Sequence, residues 1–500
     1  MKSSIKLGMI MIAMILAVSG FSPIAANADA SNKIEKIEQF VQEQKNISEI
    51  PGISLVIVEK GKTVYQKSFG YADVKSKKPV TDETLFEIGS TSKAFTGLAI
   101  LQLEKEGLLE LSDDVQKYIP WLKLNCNGEA QTITLNQLLH HTSGIASKSI
   151  TRIPESNADN ALELTVKTLL DQPLNRKPGS SLEYATINYD ILGLVIEKVT
   201  KKPYDMYMKE HVLEPIGMHD SFVGRHQVGQ SAEMATGYKI GFMKEQVYTA
   251  PIYRGNIPAG YIVSNTNDIA KWMNLQLGND PSHTIDNQVI QASHMPDQSV
   301  APFDKDTYYA SGWAIMKKHD KPYIYHAGEN PNFTSYFIMQ PDEQVGVAIL
   351  SNMNTSFTRA IGQGVMELWE GNKVTNNHTD GYQKMDYIVS IVCIVGGGLG
   401  VLFILFTLVI VRNLASKQRI WTSLNVKRSL LLLILTLLVA TILTFTIKAP
   451  KIFLEVPWTF IKVWGPTSIT ALLYSVIALC LVFYMFGLLL ILSKKMKLPR

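Results

Sequence analysis

The last fifth of the chain carries three long runs without a charged residue: Tyr387 to Val411, Ser429 to Ile447 and Thr467 to Leu492. Such runs restrict folding more than any short motif does. A helix of about 20 apolar residues crosses the hydrocarbon core of a bilayer, and three such runs do not fit the interior of one soluble domain. The sequence therefore predicts membrane helices at 387–411, 429–447 and 467–492. Direction follows from charge. Arg412, Lys417, Arg419, Lys427 and Arg428 lie between the first two runs, and Lys494, Lys495, Lys497 and Arg500 follow the third. Basic loops stay in the cytoplasm, so the first helix runs outside to inside and residues 29–386 lie outside. The loop at 448–466 is also expected outside, with a weaker excess in Lys448, Lys451 and Lys462 and with Trp458 and Trp464 suited to the interface. Gly396-Gly397-Gly398 permits close helix contact.

The start of the chain points the same way. Lys2 and Lys6, an apolar run from Leu7 to Val18, and Ala26-Asn27-Ala28 read as an export signal over 1–28, cleaved after Ala28. The rival reading is an uncleaved anchor, but the run is short for a span. No cysteine follows to carry a lipid. Of three cysteines, Cys393 and Cys480 fall in apolar runs and Cys126 stands alone outside, so no disulfide is expected. A net charge of +4 over 500 residues gives no sign of nucleic-acid binding. The ten histidines show no His-Glu-x-x-His, and there is no Cys-x-x-Cys, so neither a metal nor another cofactor is expected.

Between signal and membrane lies a domain at 29–370, then a polar linker at 371–386. Ile34, Ile37, Phe40 and Val41 make an apolar helical stripe within 32–46. Ser54 to Val58 and Thr63 to Phe69 read as a hairpin. Leu135 to Gly144 reads as a helix end stopped by glycine, in which His140 and His141 are expected to cap and pack. Asp190 to Val199 is helical by pattern, and a glycine-rich loop at 255–261 precedes a helix at 267–277. Ile324 to Gly328, Thr334 to Met339 and Val345 to Leu350 are strands, the last two adjacent and antiparallel. A helix at 356–369 closes the domain.

The segment Phe86-Glu87-Ile88-Gly89-Ser90-Thr91-Ser92-Lys93 carries chemistry. A serine hydroxyl is nearly inert until a neighbouring base takes its proton. If Ser90 opens a helix, Lys93 lies one turn on along the same face, and the helix start adds N–H groups that favour an oxyanion. The pattern alone is weak; Ser3 and Lys6 repeat it inside the signal. Tyr184, just before a helix, is by itself a packing residue. Its phenol becomes a base only if a cation such as Lys93 lowers its pKa.

Four ordered features raise the specificity: Ser90-x-x-Lys93, His141-Thr142-Ser143-Gly144, Tyr184-Ala185-Thr186 and His326-Ala327-Gly328. Together they resemble the serine β-lactamase and penicillin-binding-protein superfamily, in its class C and D-alanyl-peptidase branch. The resemblance implies an α+β fold: a β-lactamase-like catalytic domain, with an antiparallel sheet flanked by helices plus a helical subdomain, followed by the three transmembrane α-helices. Further segments are similar to the prodrug-activating peptidases of colibactin and zwittermicin biosynthesis. They are Tyr189-Asp190-Ile191-Leu192-Gly193, Gly237 to Phe242, Tyr309 to Trp313, Asn330-Pro331-Asn332-Phe333 and Phe460 to Pro466. That similarity implies an outward-facing serine peptidase in a bacterial cell membrane. It would remove an N-acyl-D-asparagine cap from a non-ribosomal peptide or polyketide precursor brought out by an exporter.

Carried over by position, Ser90 is the nucleophile, Lys93 its activator and Tyr184 the acid/base that protonates the leaving amine. The oxyanion hole is the backbone N–H of Ser90 and of Glu329. Glu87, Thr186, Asn256, His326 and Asn330 are the expected substrate-binding residues. Two positions depart from the pattern. Thr186 stands where most of the superfamily has asparagine and the peptidase subgroup serine, and Asn256 stands where the colibactin enzyme has histidine. The rival readings are a D-alanyl-D-alanine carboxypeptidase of cell-wall synthesis, a β-lactamase, and a sensor acylated at Ser90 that does not turn over.

Overall fold

The computed structural model describes residues 22–229, 233–279, 284–318, 320–375 and 377–496, with side chains from Asn32 onward. Most of the expected export signal, residues 1–21, lies outside this set, as do Lys497 and Arg500.

The strands that matter are β1 (Gly52–Glu59), β2 (Lys62–Asp73), β3 (Lys78–Pro79), β4 (Tyr238–Gly241), β5 (Lys244–Val247), β6 (Thr307–Tyr309), β7 (Ala314–Lys318), β8 (Lys321–Glu329), β9 (Thr334–Gln340) and β10 (Val345–Ser351). Eight of them form one antiparallel sheet in the order β6-β7-β8-β9-β10-β1-β2-β3, while β4 and β5 make a separate hairpin. The chain thus closes its first hairpin onto its last strand, β1 against β10 with Ile53 opposite Ser351.

The central strands are apolar on both faces because helices cover both. Alternate residues point opposite ways. Ile53, Leu55 and Ile57 of β1, Tyr336 and Ile338 of β9, and Val347 and Ile349 of β10 enter one core. That core is completed by Ile37, Phe40 and Val41 of α1 (Ser22–Ser48) and by Phe357, Ile361 and Val365 of a closing helix. Val56 and Val58, Phe337 and Met339, and Ala348 and Leu350 enter the other, larger core. It holds α2 (Ser92–Lys105), α3 (Ile187–Thr200), the single turn α4 (Ile257–Gly260) and α5 (Thr266–Gln276). The closing helix is α6 (Phe357–Trp369). The β1–β2 hairpin, strands β8 to β10 and the flanking helices fall where the sequence pattern predicts them, giving the antiparallel sheet between helices that the resemblance implies; β3, β6 and β7 carry no pattern that marked them in advance.

Three helices follow: α7 (Gly381–Ala415), α8 (Val426–Phe453) and, after the short α9 (Trp458–Trp464), α10 (Thr467–Leu492). The three long ones have the length and apolarity to cross a membrane, the mark of a membrane-anchored protein. Ile394, Leu405, Leu437 and Leu481 sit exposed on their surfaces, where lipid would cover them. The described residues of the stretch read as a linker are irregular as far as Asp380 and helical from Gly381, because the Asp380 carboxylate accepts from Tyr382 N at 2.6 Å and caps α7. A Cβ at any of Gly396, Gly397 and Gly398 would meet nothing within 4 Å, whereas one at Gly487 would overlap Leu435 of α8.

The β4–β5 hairpin bolts the domain to these helices. Its turn residues Phe242 and Met243 have left-handed φ of 53° and 63°, which aims both amides at Asp386 of α7, at 3.0 and 2.6 Å. A side chain at Gly241 would overlap Thr467 at the start of α10. Lys239 donates to the carbonyls of Lys462 (2.9 Å) and Val463 (2.8 Å), the exposed C-terminal end of α9. Asp386→Ala is expected to remove about 1–3 kcal/mol by leaving both turn amides without an acceptor. Trypsin cleavage after Lys244 in the bilayer-embedded protein should then speed up; an unchanged cleavage rate would contradict this bolt.

Candidate active site

Ser90 is presented by a turn that only glycine permits. Gly89 has φ +56°, and a Cβ there would come 2.5 Å from Glu329 N. Gly328 is equally tight, its missing Cβ leaving room for Ile88 O. The 3-10 turn Gly89–Thr91 therefore presses flat against the end of β8 and feeds directly into α2. Ile88 O is tied down by Thr91 Oγ1 (2.7 Å) and Ser335 Oγ (2.6 Å). Backbone at Ser90 and at Glu329 meets as a result, at the N-terminus of a buried helix.

Lys93 is 0 % exposed. Its Nζ lies 3.0 Å from Ser90 Oγ, 3.1 Å from Thr186 Oγ1 and 2.7 Å from Ala259 O of α4. A neutral amine has two N–H and one lone pair. Two N–H directed at Ala259 and Thr186 leave the lone pair for the Ser90 proton. Burial pulls this amine down to about 7, against the opposing pull of Asp190.

Tyr184 lies just ahead of α3, 37 % exposed, with its ring centroid 5.0 Å from Lys93 Nζ. Burial of its hydroxyl end pushes the phenol up, with the Ser90 and Tyr309 hydroxyls pulling the other way. The route by which Lys93 would turn this phenol into a phenolate base is therefore not the one found here. Tyr184 is a neutral phenol, fit to donate a proton.

His141 explains how Tyr184 is held. The helix at 135–144 ends at Leu139, and the left-handed residue after it is His141, φ 56°, ahead of Gly144. The His141 ring packs 4.3 Å from that of Tyr184, and its Nδ1 accepts from Asn188 Nδ2 (3.0 Å) and Ala185 N (3.3 Å). Burial keeps it neutral. Its role is packing, as the sequence suggested.

The expected substrate-binding residues separate into groups. Glu87 and Asn330 meet beside Ser90: Asn330 Nδ2 donates to Glu87 Oε2 (2.8 Å) and to Gly260 O (3.0 Å), while Arg225 Nε stands 3.5 Å from Glu87 Oε1. Burial raises the Glu87 pKa, and Arg225 and Asn330 oppose that. Thr186 faces Lys93. Asn256 Nδ2 donates to Asp190 Oδ2 at 2.7 Å. His326 is bonded to Tyr309 OH at 3.0 Å and, pulled down to about 3 by burial, is neutral.

A cleft of about 340 Å³ opens over Ser90, walled by Tyr184, Tyr309, Phe303, Tyr325, Ala327 and Arg359. Strand β7 pairs with β8 only as far as Ala314–Tyr325, so the outer edge of β8 from His326 to Glu329 faces this cleft. Asp190, Tyr309 and Arg359 were not singled out from the sequence. Asp190 had a visible signal, a carboxylate within an otherwise apolar helix; the other two are placed only by strand pairing and by the closing helix.

A family model described as beta-lactamase matches residues 37–364. Protein flp of Staphylococcus aureus (strain N315) is 31% identical over 457 residues, covering 89% of this chain and 88% of its own. The putative penicillin-binding protein PbpX of Bacillus subtilis (strain 168) is 36% identical over 218 residues, 43% of this chain and 52% of its own. Among solved structures, the octameric penicillin-binding protein homologue from Pyrococcus abyssi superposes with a TM-score of 0.61 at 29% identity, over 68% of this chain and 78% of that one. A class C beta-lactamase does so with a TM-score of 0.59 at 20% identity, over 69% and 98%, which speaks for the fold alone.

With the Lys93 amine near 7, only its neutral form can take the Ser90 proton, so reactivity should rise with pH. Labelling of Ser90 by a fluorophosphonate is expected to reach half its maximal rate near pH 7, and Lys93→Met to lower the plateau roughly 10²–10⁴-fold. A rate flat from acid to alkaline pH would contradict this.

Proposed function

The chain belongs to the beta-lactamase family of serine hydrolases, and on that premise we propose that it is a membrane-anchored peptidase removing an N-acyl-D-asparagine cap from a non-ribosomal peptide or polyketide precursor. The observation that carries this reading is the Glu87–Asn330 pair, in which Glu87 lies three residues before the nucleophile. A carboxamide can give N–H to Glu87 and to Asn330 Oδ1, and take one from Arg225. A carboxylate in that place would face Glu87 and be repelled. The catalytic domain is outside the cytoplasm, in keeping with the basic residues after α7 and α10.

The reaction is acyl transfer in two steps. Neutral Lys93 takes the proton of Ser90, and Oγ attacks the carbonyl of the D-asparaginyl amide. The oxyanion accepts from the backbone N–H of Ser90 and Glu329. Tyr184 gives its proton to the departing amine and is refilled from the Lys93 ammonium. Water, activated by the same groups, then releases the N-acyl-D-asparagine.

The second reading is a D-alanyl-D-alanine carboxypeptidase. Its support is the similarity to the putative penicillin-binding protein of Bacillus subtilis. Mass spectrometry of membranes incubated with N-acyl-D-asparaginyl amides, their L-asparaginyl and D-aspartyl counterparts, and D-alanyl-D-alanine peptides separates the two. Cleavage of the D-asparaginyl amide is expected, with its D-aspartyl counterpart at least 10²-fold poorer and Glu87→Gln eroding that ratio. Cleavage of the D-alanyl peptide alone would overturn the proposal in favour of the second reading.

A further inference from the structure

Asp190 has no part in the steps just given, yet it is a carboxyl group at 0 % exposure inside α3. It lies four residues after Thr186, hence on the same helical face one turn along. Thr186 Oγ1 touches Lys93 Nζ at 3.1 Å. From the other side Asn256 holds Asp190 Oδ2 at 2.7 Å, and Asn256 directly precedes α4, whose Ala259 O takes the Lys93 amine. Asp190 and Lys93 are therefore clamped between the same two elements. The second oxygen, Oδ1, is buried without a hydrogen-bond partner. Such an oxygen is costly unless the group is protonated or faces a cation.

We propose that Asp190 is a positioning residue whose protonation is coupled to that of Lys93, without direct contact, through the two elements that hold both, and that it thereby sets when Lys93 is free to receive the proton of Ser90. This rests on reading Ser90 as the nucleophile and Lys93 as its base, and not on the identity of the acyl group. With one proton between them the two groups are uncharged overall, either as amine and carboxylic acid or as ammonium and carboxylate. When the proton is on Asp190, the Lys93 lone pair faces Ser90. On attack the Ser90 O–H bond breaks, its electron pair forms the bond to the reacting centre, and its proton passes to Lys93.

The titratable groups facing the pair come from every packed element. Tyr204 and Tyr261 lie beside Asp190, with Glu87 beyond Tyr261. His141, His326, Tyr184 and Tyr189 lie beside Lys93. Burial keeps both histidines neutral and pushes the four phenols up. Burial also drives the two partners toward each other, Asp190 well up and Lys93 down to about 7.

The test is the rate of Ser90 labelling by a fluorophosphonate against pH, on the full chain in bilayer nanodiscs, with circular dichroism to verify folding. Removing the carboxylate removes what favours the Lys93 ammonium. Asp190→Asn should therefore move the acid limb to lower pH, by on the order of one unit, while Asp190→Glu keeps it near the wild-type position. Asn256→Leu, which strips the carboxylate of its N–H donor, should move it the same way by less, and stands in if Asp190→Asn does not fold. A limb that stays in place in the folded variants, whatever the plateau does, overturns the proposal and leaves the substrate reading intact. Absence of labelling in the wild-type chain overturns the proposal together with Ser90 as nucleophile. Labelling without D-asparaginyl cleavage sinks only the substrate reading.

Discussion

A lysine amine with no exposed surface organises this molecule. Lys93 has left water, and burying a charge is costly unless partners replace its hydration. Three oxygens do so, from the turn that feeds α2, from Thr186 directly ahead of α3 and from α4. Each comes from a different stretch of chain, so satisfying one amine fixes how three elements sit. The same burial brings the amine near 7, which is the property the proposed base needs. Stability of the arrangement and reactivity of Ser90 thus have one physical cause.

The second constraint is backbone against backbone. Gly89 and Gly328 let the Ser90 turn lie on the end of β8 with no side chain between. That contact makes a pair of amides available to an oxyanion, and it ties the site to the sheet. From the same strand end the chain runs through Asn330 to Asn332, whose Nδ2 donates to Tyr248 O beside the β4–β5 hairpin at 2.9 Å. Tyr238 N of that hairpin bonds Asn352 O at 2.9 Å, just past the end of β10. The hairpin in turn is held by Asp386 and by the end of α9. The membrane helices are thereby connected to the catalytic cleft through a short run of hydrogen bonds.

Much of this was legible in the chain. The apolar runs announce α7, α8 and α10, since length and absence of charge need no tertiary context. Alternation and turn residues give β1, β2, β9 and β10. Ser90, Lys93 and Tyr184 could be proposed together only through the resemblance, because 90 residues of intervening sequence say nothing about distance. What the chain did not reveal depends on packing. His141 takes a left-handed position soon after its helix, three residues before the one at Gly144, and its ring packs behind Tyr184. The Tyr184 phenol goes up and not down, because desolvation outweighs the pull of the Ser90 and Tyr309 hydroxyls. Asn256 turns to Asp190, a partner one cannot pick from spacing. Gly396 to Gly398 looks like a helix seam, yet the glycine whose missing side chain makes room for a neighbouring helix is Gly487, against Leu435.

In the proposed reaction the acyl group passes from the amide nitrogen to Ser90 Oγ, with Lys93 and Tyr184 moving the protons. Acid quenching of the full-length protein during turnover of an N-acyl-D-asparaginyl amide, followed by mass spectrometry of its peptides, tests it most directly. The expected result is the mass of the N-acyl-D-asparaginyl group on Ser90, absent after Ser90→Ala. Turnover that continues in Ser90→Ala, or an acyl group found on another residue, would contradict it.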